Sequence, residues 1–107
     1  MSFRVEKVSS TIRTAVAEIF LGKMSDPDLK LLTVSGVILS KDLKTAKVIV
    51  SSLSGNSENL LKKLDNAKGF IRHELSRSVY LKFVPELKFF LDEGLDYDRN
   101  KSGLDRE

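Results

Sequence analysis

The sequence has 107 residues, no cysteine and a single histidine. Without cysteine there are no disulfides, thiolate metal sites or cysteine nucleophiles, which agrees with a reducing cytoplasmic compartment. One histidine leaves no cluster for zinc, so no metal and no cofactor are expected. No run approaches the roughly 18 apolar residues that cross a bilayer. From Phe3-Arg4-Val5-Glu6-Lys7 onward charged and apolar residues are interspersed, so neither a signal peptide nor a membrane anchor is expected. Also missing are the Gly-x-x-x-x-Gly-Lys phosphate loop, the Gly-x-Gly-x-x-Gly dinucleotide turn and the Gly-x-Ser-x-Gly nucleophile elbow. Asp26, Asp28 and Asp42 sit in turn-like segments, where aspartate bonds to nearby backbone. His73 has no carboxylate or nucleophile placed beside it by sequence. The expectation is a protein that is not an enzyme.

What is present is one core's worth of apolar residues, 41% of the chain, enough for a single small domain. Net charge is only +3, but it is unevenly spread. Residues 1–91 carry 15 Lys/Arg against 9 Asp/Glu, and residues 92–107 carry 3 against 6. A basic body with an acidic tail is one footprint of nucleic-acid binding.

Val5, Val8, Ile12, Val16 and Ile19 recur at gaps of three and four and predict a first helix, with Gly22 as its stop and Arg4, Lys7 and Arg13 off the apolar stripe. Met24 to Asp28 reads as a connecting turn around Pro27. Two alternating runs follow. Leu32, Val34 and Ile38 share one face of the first, Ala46, Val48 and Val50 one face of the second, and Ser40 to Lys44 joins them as a hairpin. Val37, Leu39 and Ile49 then fall on the opposite face. Asn56 or Ser57 can cap a second helix, whose seam of Leu60, Leu64, Ala67, Ile71 and Leu75 continues through Gly69 without slipping. Pro85 excludes a helix interior, and Leu87, Phe89 and Leu91 alternate in a third strand. The expected architecture is an α+β two-layer domain over residues 1–92, with helices on one face of a three-stranded sheet. An acidic, poorly ordered tail is expected over 93–107.

The densest signal is Ala67-Lys68-Gly69, a glycine inside a helical pattern flanked by Lys68, Arg72 and His73. Helical glycine costs about 1 kcal/mol relative to alanine, so it marks a break, a close approach or a function. Asn66 can cap a second helical piece; a bend at Gly69 would then free N–H groups that attract anions, while a smooth rod is the alternative. Gly69, His73, Ser76, Arg77 and Tyr80 lie opposite Ile71 and Leu75, with Arg72 at the edge of that side. An RRM is disfavoured because the first two strands carry no aromatics, and a single-strand KH reader because Gly-x-x-Gly occurs nowhere.

In order and spacing, several pieces resemble the bacterial ribosome-binding factor A family: Arg4-Val5, Asp26-Pro27 with Leu29, Val37 through Ser40-Lys41-Asp42-Leu43 to Ala46, Val48, Val50 and Ser51, and Pro85, Leu87, Phe89 and Asp92. Ala67-Lys68-Gly69 resembles the Ala-x-Gly kink that replaces the KH loop there. The resemblance implies a KH-like fold of type II order, α-β-β-α-kink-α-β. It also implies a monomeric, cytoplasmic, non-catalytic assembly factor that binds the free small (30S) subunit and 16S ribosomal RNA and supports late maturation and 5′-end processing, notably in the cold. Family members often carry arginine where this chain has Asp28, which exchanges a phosphate contact for a repelling charge. On this reading Lys68, Gly69, Arg72, His73 and Arg77, with Arg4, Lys7 and Arg13, form the RNA-binding surface. The alternatives are a protein-binding adaptor that uses Val37, Leu39 and Ile49, or a general KH-like binder of structured RNA.

Overall fold

The computed structural model describes residues 2–52, 58–79, 81 and 83–92. The expected Asn56 or Ser57 cap, Tyr80 and the tail 93–107 lie outside the described residues.

Helix α1 spans Ser2–Lys23 and α2 spans Pro27–Lys30. The latter is one helical turn where a plain connection was expected. The Asp26 carboxylate accepts the Asp28 N–H at 2.9 Å, and Pro27 supplies the preset φ of a first helical residue. This short helix buries Leu29 in the core.

Strand β1 (Leu32–Leu39) pairs antiparallel with β2 (Thr45–Ser52), and β2 pairs in parallel with β3 (Glu86–Leu91), giving the order β1-β2-β3. Helix α3 (Glu58–Ser78) is the crossover that a parallel pair requires. The core lies between the sheet and the helices. Ile12, Val16, Ile19 and Phe20 of α1 and Leu60, Leu64, Ile71 and Leu75 of α3 cover Val34, Leu39, Ala46, Val48, Val50 and Leu87 of the sheet. The α+β layering is as expected.

The structure corrects the face assignment within β1. Val34 stands opposite Val50 and Gly36 opposite Ile49, so Ser35 is the extra residue of a β-bulge. A one-residue insertion reverses which side chains face the core. Val37 and Leu39 therefore turn inward, and Ile38 is left 52% exposed on the outer face. Of the three residues proposed for an adaptor surface, Ile49 alone stays on the outer sheet face, between Gly36 and the half-exposed Phe90, and even there it is buried, 6% exposed.

Helix α3 is also simpler than expected. It runs undivided from Glu58 to Ser78, so Asn66 is an interior residue and not a cap, and no second helix N-terminus opens at Gly69. The unbroken apolar seam explains this, because both halves bury their side chains in one core.

Candidate nucleic-acid interface

Position on α1 and α3 decides where each basic side chain goes. On α3, Gly69, Arg72, His73 and Arg77 are exposed and Lys68 is half-buried. Lys68 Nζ lies 3.3 Å from Asp65, one turn earlier, and Arg77 lies 3.9 Å from Glu74. Asp65 is exposed, so Lys68 can leave it for a phosphate at small cost. Arg77 is itself 69% exposed and sits at the outer limit of pairing, whereas the Glu74 side chain is only 12% exposed. The His73 carbonyl accepts the Ser76 hydroxyl at 2.7 Å. Arg4, Lys7 and Arg13 are exposed on α1. Arg13 follows Arg4 by nine residues, about 900° at roughly 100° each, which puts the two on opposite flanks of the helix. The eight residues therefore do not share one surface.

Arg72 has a task that its spacing did not reveal. Its Nη2 donates to the Val84 carbonyl at 2.6 Å and its Nε to the Pro85 carbonyl at 3.1 Å. A planar guanidinium thus holds the segment that leads into β3 and satisfies two carbonyls there. Charge-assisted bonds contribute about 1.5–3 kcal/mol when sheltered and less at a wet surface. Arg72→Ala is expected to lower the unfolding free energy by about 1–2 kcal/mol, whereas Arg77→Ala should change it by less than about 0.5 kcal/mol; urea unfolding of the two variants checks this.

Gly69 is open. A Cβ built there meets nothing within 4 Å, and its φ is not positive. Neither close approach nor backbone geometry requires glycine, so Gly69→Ala is expected to raise the thermal midpoint by roughly 4–8 °C through a gain of about 1 kcal/mol. A thermal melt measures this directly.

The cations do converge at the opposite end of the sheet from Asp26. A cleft of about 780 Å³ opens between the first turns of α1, the β1–β2 turn and the segment before β3, and Arg4, Lys44 and Arg72 all border it. Lys44 and Phe83 were not among the expected site residues. The one sequence signal was a turn without glycine. Leu43 in that turn has φ 65°, a left-handed conformation that costs a non-glycine residue about 1–2 kcal/mol.

The aspartates have structural partners. Asp42 accepts the Ser40 hydroxyl at 2.6 Å and the Lys44 N–H at 3.0 Å, and these bonds hold its carboxyl below the ordinary range. The Asp28 N–H, then Lys63, lower Asp26 in the same way. Lys63 bridges Asp26 at 3.1 Å and Asp28 at 2.7 Å, which raises its own pKa and ties α2 to α3. Asp26 and Asp42 are thus held ionised as caps and turn acceptors, the reverse of a carboxyl poised to carry a proton near neutrality. Among the described residues no group of acidic side chains and histidine is arranged to hold a metal, and no helix is long and apolar enough to cross a membrane.

Comparison with known proteins gives this geometry a setting. The family model for ribosome-binding factor A matches residues 4–104. Ribosome-binding factor A of Caldicellulosiruptor saccharolyticus is 38% identical over 99 residues, which span 88% of this chain and 73% of that protein. The crystal structure of ribosome-binding factor A from Thermus thermophilus superposes with a TM-score of 0.74 at 31% identity, covering 81% of this chain and 93% of the other. A homology model of the Thermus thermophilus factor, fitted into a cryo-EM map of its complex with 30S, gives a TM-score of 0.67 at 33% identity over 77% of this chain and 88% of that one. With a family match across nearly the whole chain and the same α+β arrangement in solved relatives, this chain belongs to the ribosome-binding factor A family.

Proposed function

We propose that this chain binds the free small ribosomal subunit in the cytoplasm, contacts 16S ribosomal RNA through phosphates and, without catalysis, supports late maturation and 5′-end processing, notably at low temperature. The observation that carries this reading is its likeness to the Thermus thermophilus factor whose homology model was fitted into a map of a 30S complex. Chemistry agrees: Arg4, Lys44 and Arg72 border one cleft, and Arg77 is a further exposed cation on α3. Structured RNA is recognised chiefly by shape and backbone, which side chains of this type suit. Residues 1–92 are the binding domain in this reading, and 93–107 an appended acidic tail.

Sedimentation with purified subunits tests the binding. The chain is expected to pellet with small subunits and not with large ones, and equal or absent pelleting overturns the reading. For the maturation role, depletion in cold-grown cells is expected to leave 16S precursors with unprocessed 5′ ends; normal ends would contradict it. The adaptor alternative now rests on the outer sheet face, where Ile38 and Phe90 are exposed. Retention of a protein partner in a nuclease-treated pull-down would favour it.

A further inference from the structure

We propose that the cleft beside Arg4, Lys44 and Arg72 is a nucleotide pocket that receives one unpaired base extruded from structured RNA. This rests on the docking reading above and deepens it, since phosphate contacts alone require only a charged surface and not a cavity.

Three observations carry the inference. First, the cleft of about 780 Å³ is walled mainly by apolar side chains, among them Val8, Leu43, Val84, Pro85 and Phe83, the last 76% exposed. A large concave apolar site with a few convergent polar groups is the usual form of a ligand pocket. Unstacked bases bring two broad apolar faces and bind by stacking on aromatic rings and guanidinium planes. Second, the walls are held in place. Leu43 contributes its side chain from a left-handed backbone that glycine would adopt without strain, and Arg72 is fixed by two carbonyls, its guanidinium preset beside the cleft. Third, the charges suit a nucleotide. Arg4 and Lys44 also line the cleft and supply positive charge for a flanking phosphate. Of the two carboxylates in the lining, Asp42 is engaged by Ser40 and the Lys44 N–H, whereas Glu86 at the start of β3 can accept from an exocyclic amine. Glu86 therefore favours a base with an exocyclic amine, such as adenine or cytosine, over uracil, the one RNA base without such an amine.

The test uses the full chain in two arms. In the first, affinity for purified small subunits is measured for the wild type, Phe83→Ala and Phe90→Ala, the last on the outer sheet face, with thermal melts confirming that all are folded. Phe83→Ala is expected to bind about tenfold more weakly, as loss of one stacked base implies, and Phe90→Ala to bind normally. In the second, side-chain resonances of Leu43, Phe83 and Val84 are followed by NMR during titration with hexaadenylate, hexacytidylate, hexauridylate or hexaglutamate. Hexaadenylate and hexacytidylate are expected to shift them more than hexauridylate does. If the wild type binds subunits and Phe83→Ala binds equally well, the pocket is refuted and the docking reading stands. If the wild type binds no subunits, the docking reading falls, and unshifted resonances with every RNA refute the pocket as well. Shifts with hexaglutamate but with none of the RNAs overturn the nucleotide in favour of an acidic protein segment.

Discussion

The combined variant Arg4→Glu, Lys44→Glu, Arg77→Glu is expected to bind small ribosomal subunits about 100-fold more weakly than the wild type, with nearly unchanged stability. All three side chains are exposed and serve no core contact. Among the described residues Arg77 pairs with Glu74 at 3.9 Å, a long contact in which Arg77 is largely exposed and Glu74 largely buried. Removing an attraction to phosphate and adding a repulsion costs about 1 kcal/mol per site against an RNA surface, and about 1.4 kcal/mol is a tenfold change in affinity, so three sites give roughly two decades. Surface substitutions of this kind move stability by about 0.5 kcal/mol or less. Arg72 is deliberately absent from the set. Its reversal would also release the Val84 and Pro85 carbonyls, and weaker binding could then reflect a loosened β3 entry. Fluorescence anisotropy against purified subunits reads the affinity, and thermal melts read the fold.

The second large effect lies in the core. Phe20→Ala is expected to lower the unfolding free energy by about 3–5 kcal/mol, a large fraction of the 5–15 kcal/mol typical of a domain. Phe20 is fully buried in the last turns of α1, and its ring lies 6.5 Å from that of Phe89 on β3, inclined by 40°. It thus joins the first helix to the last strand. Its loss leaves a cavity that neighbours from α1 and the sheet cannot fill without moving, and it forfeits a tilted aromatic pair contributing about 0.5–1.5 kcal/mol. Phe20→Leu should cost clearly less. Equilibrium unfolding in urea separates the two, and equal losses for Ala and Leu would mean that the ring contact matters little.

Much of the architecture was legible because it follows from period. The helical stripes through Ile12, Val16 and Ile19 and through Leu64, Ile71 and Leu75 all end in the core. So do Ala46, Val48 and Val50, whose strand keeps strict alternation. Period fails where a residue is inserted. Strict alternation put Ile38 inside, and the bulge after Val34 turned it out. Gly36, isolated in a strand pattern, was the available sign. Likewise Asp26-Pro27 carried the chemistry of a helix start as much as that of a turn, and the structure builds a helix on it.

The site was less legible, because it depends on partners distant in sequence. Arg72 read as a solvent-facing cation, and its two carbonyl partners lie 12 and 13 residues further on. Arg4 and Arg72 border one cleft only because α1 begins beside the entry to β3. Lys44 and Phe83 carried no periodic signal at all. Gly69 was the most conspicuous residue in the sequence, yet it lies in an undivided helix with open space around it. Its expected role in RNA contact remains a matter for the Gly69→Ala variant, which should be more stable when free.

The most direct measure of the central claim is the salt dependence of affinity for purified small subunits. Each phosphate neutralised by a lysine or arginine adds roughly 0.7–0.9 to the negative slope of log affinity against log salt concentration. Contacts from Arg4, Lys44 and Arg77 with a share from Lys68 predict a slope of about −3, reduced to near −1 in the triple reversal. A slope near zero for the wild type, or one that the reversal leaves unchanged, would contradict the claim that this chain docks on ribosomal RNA through these cations.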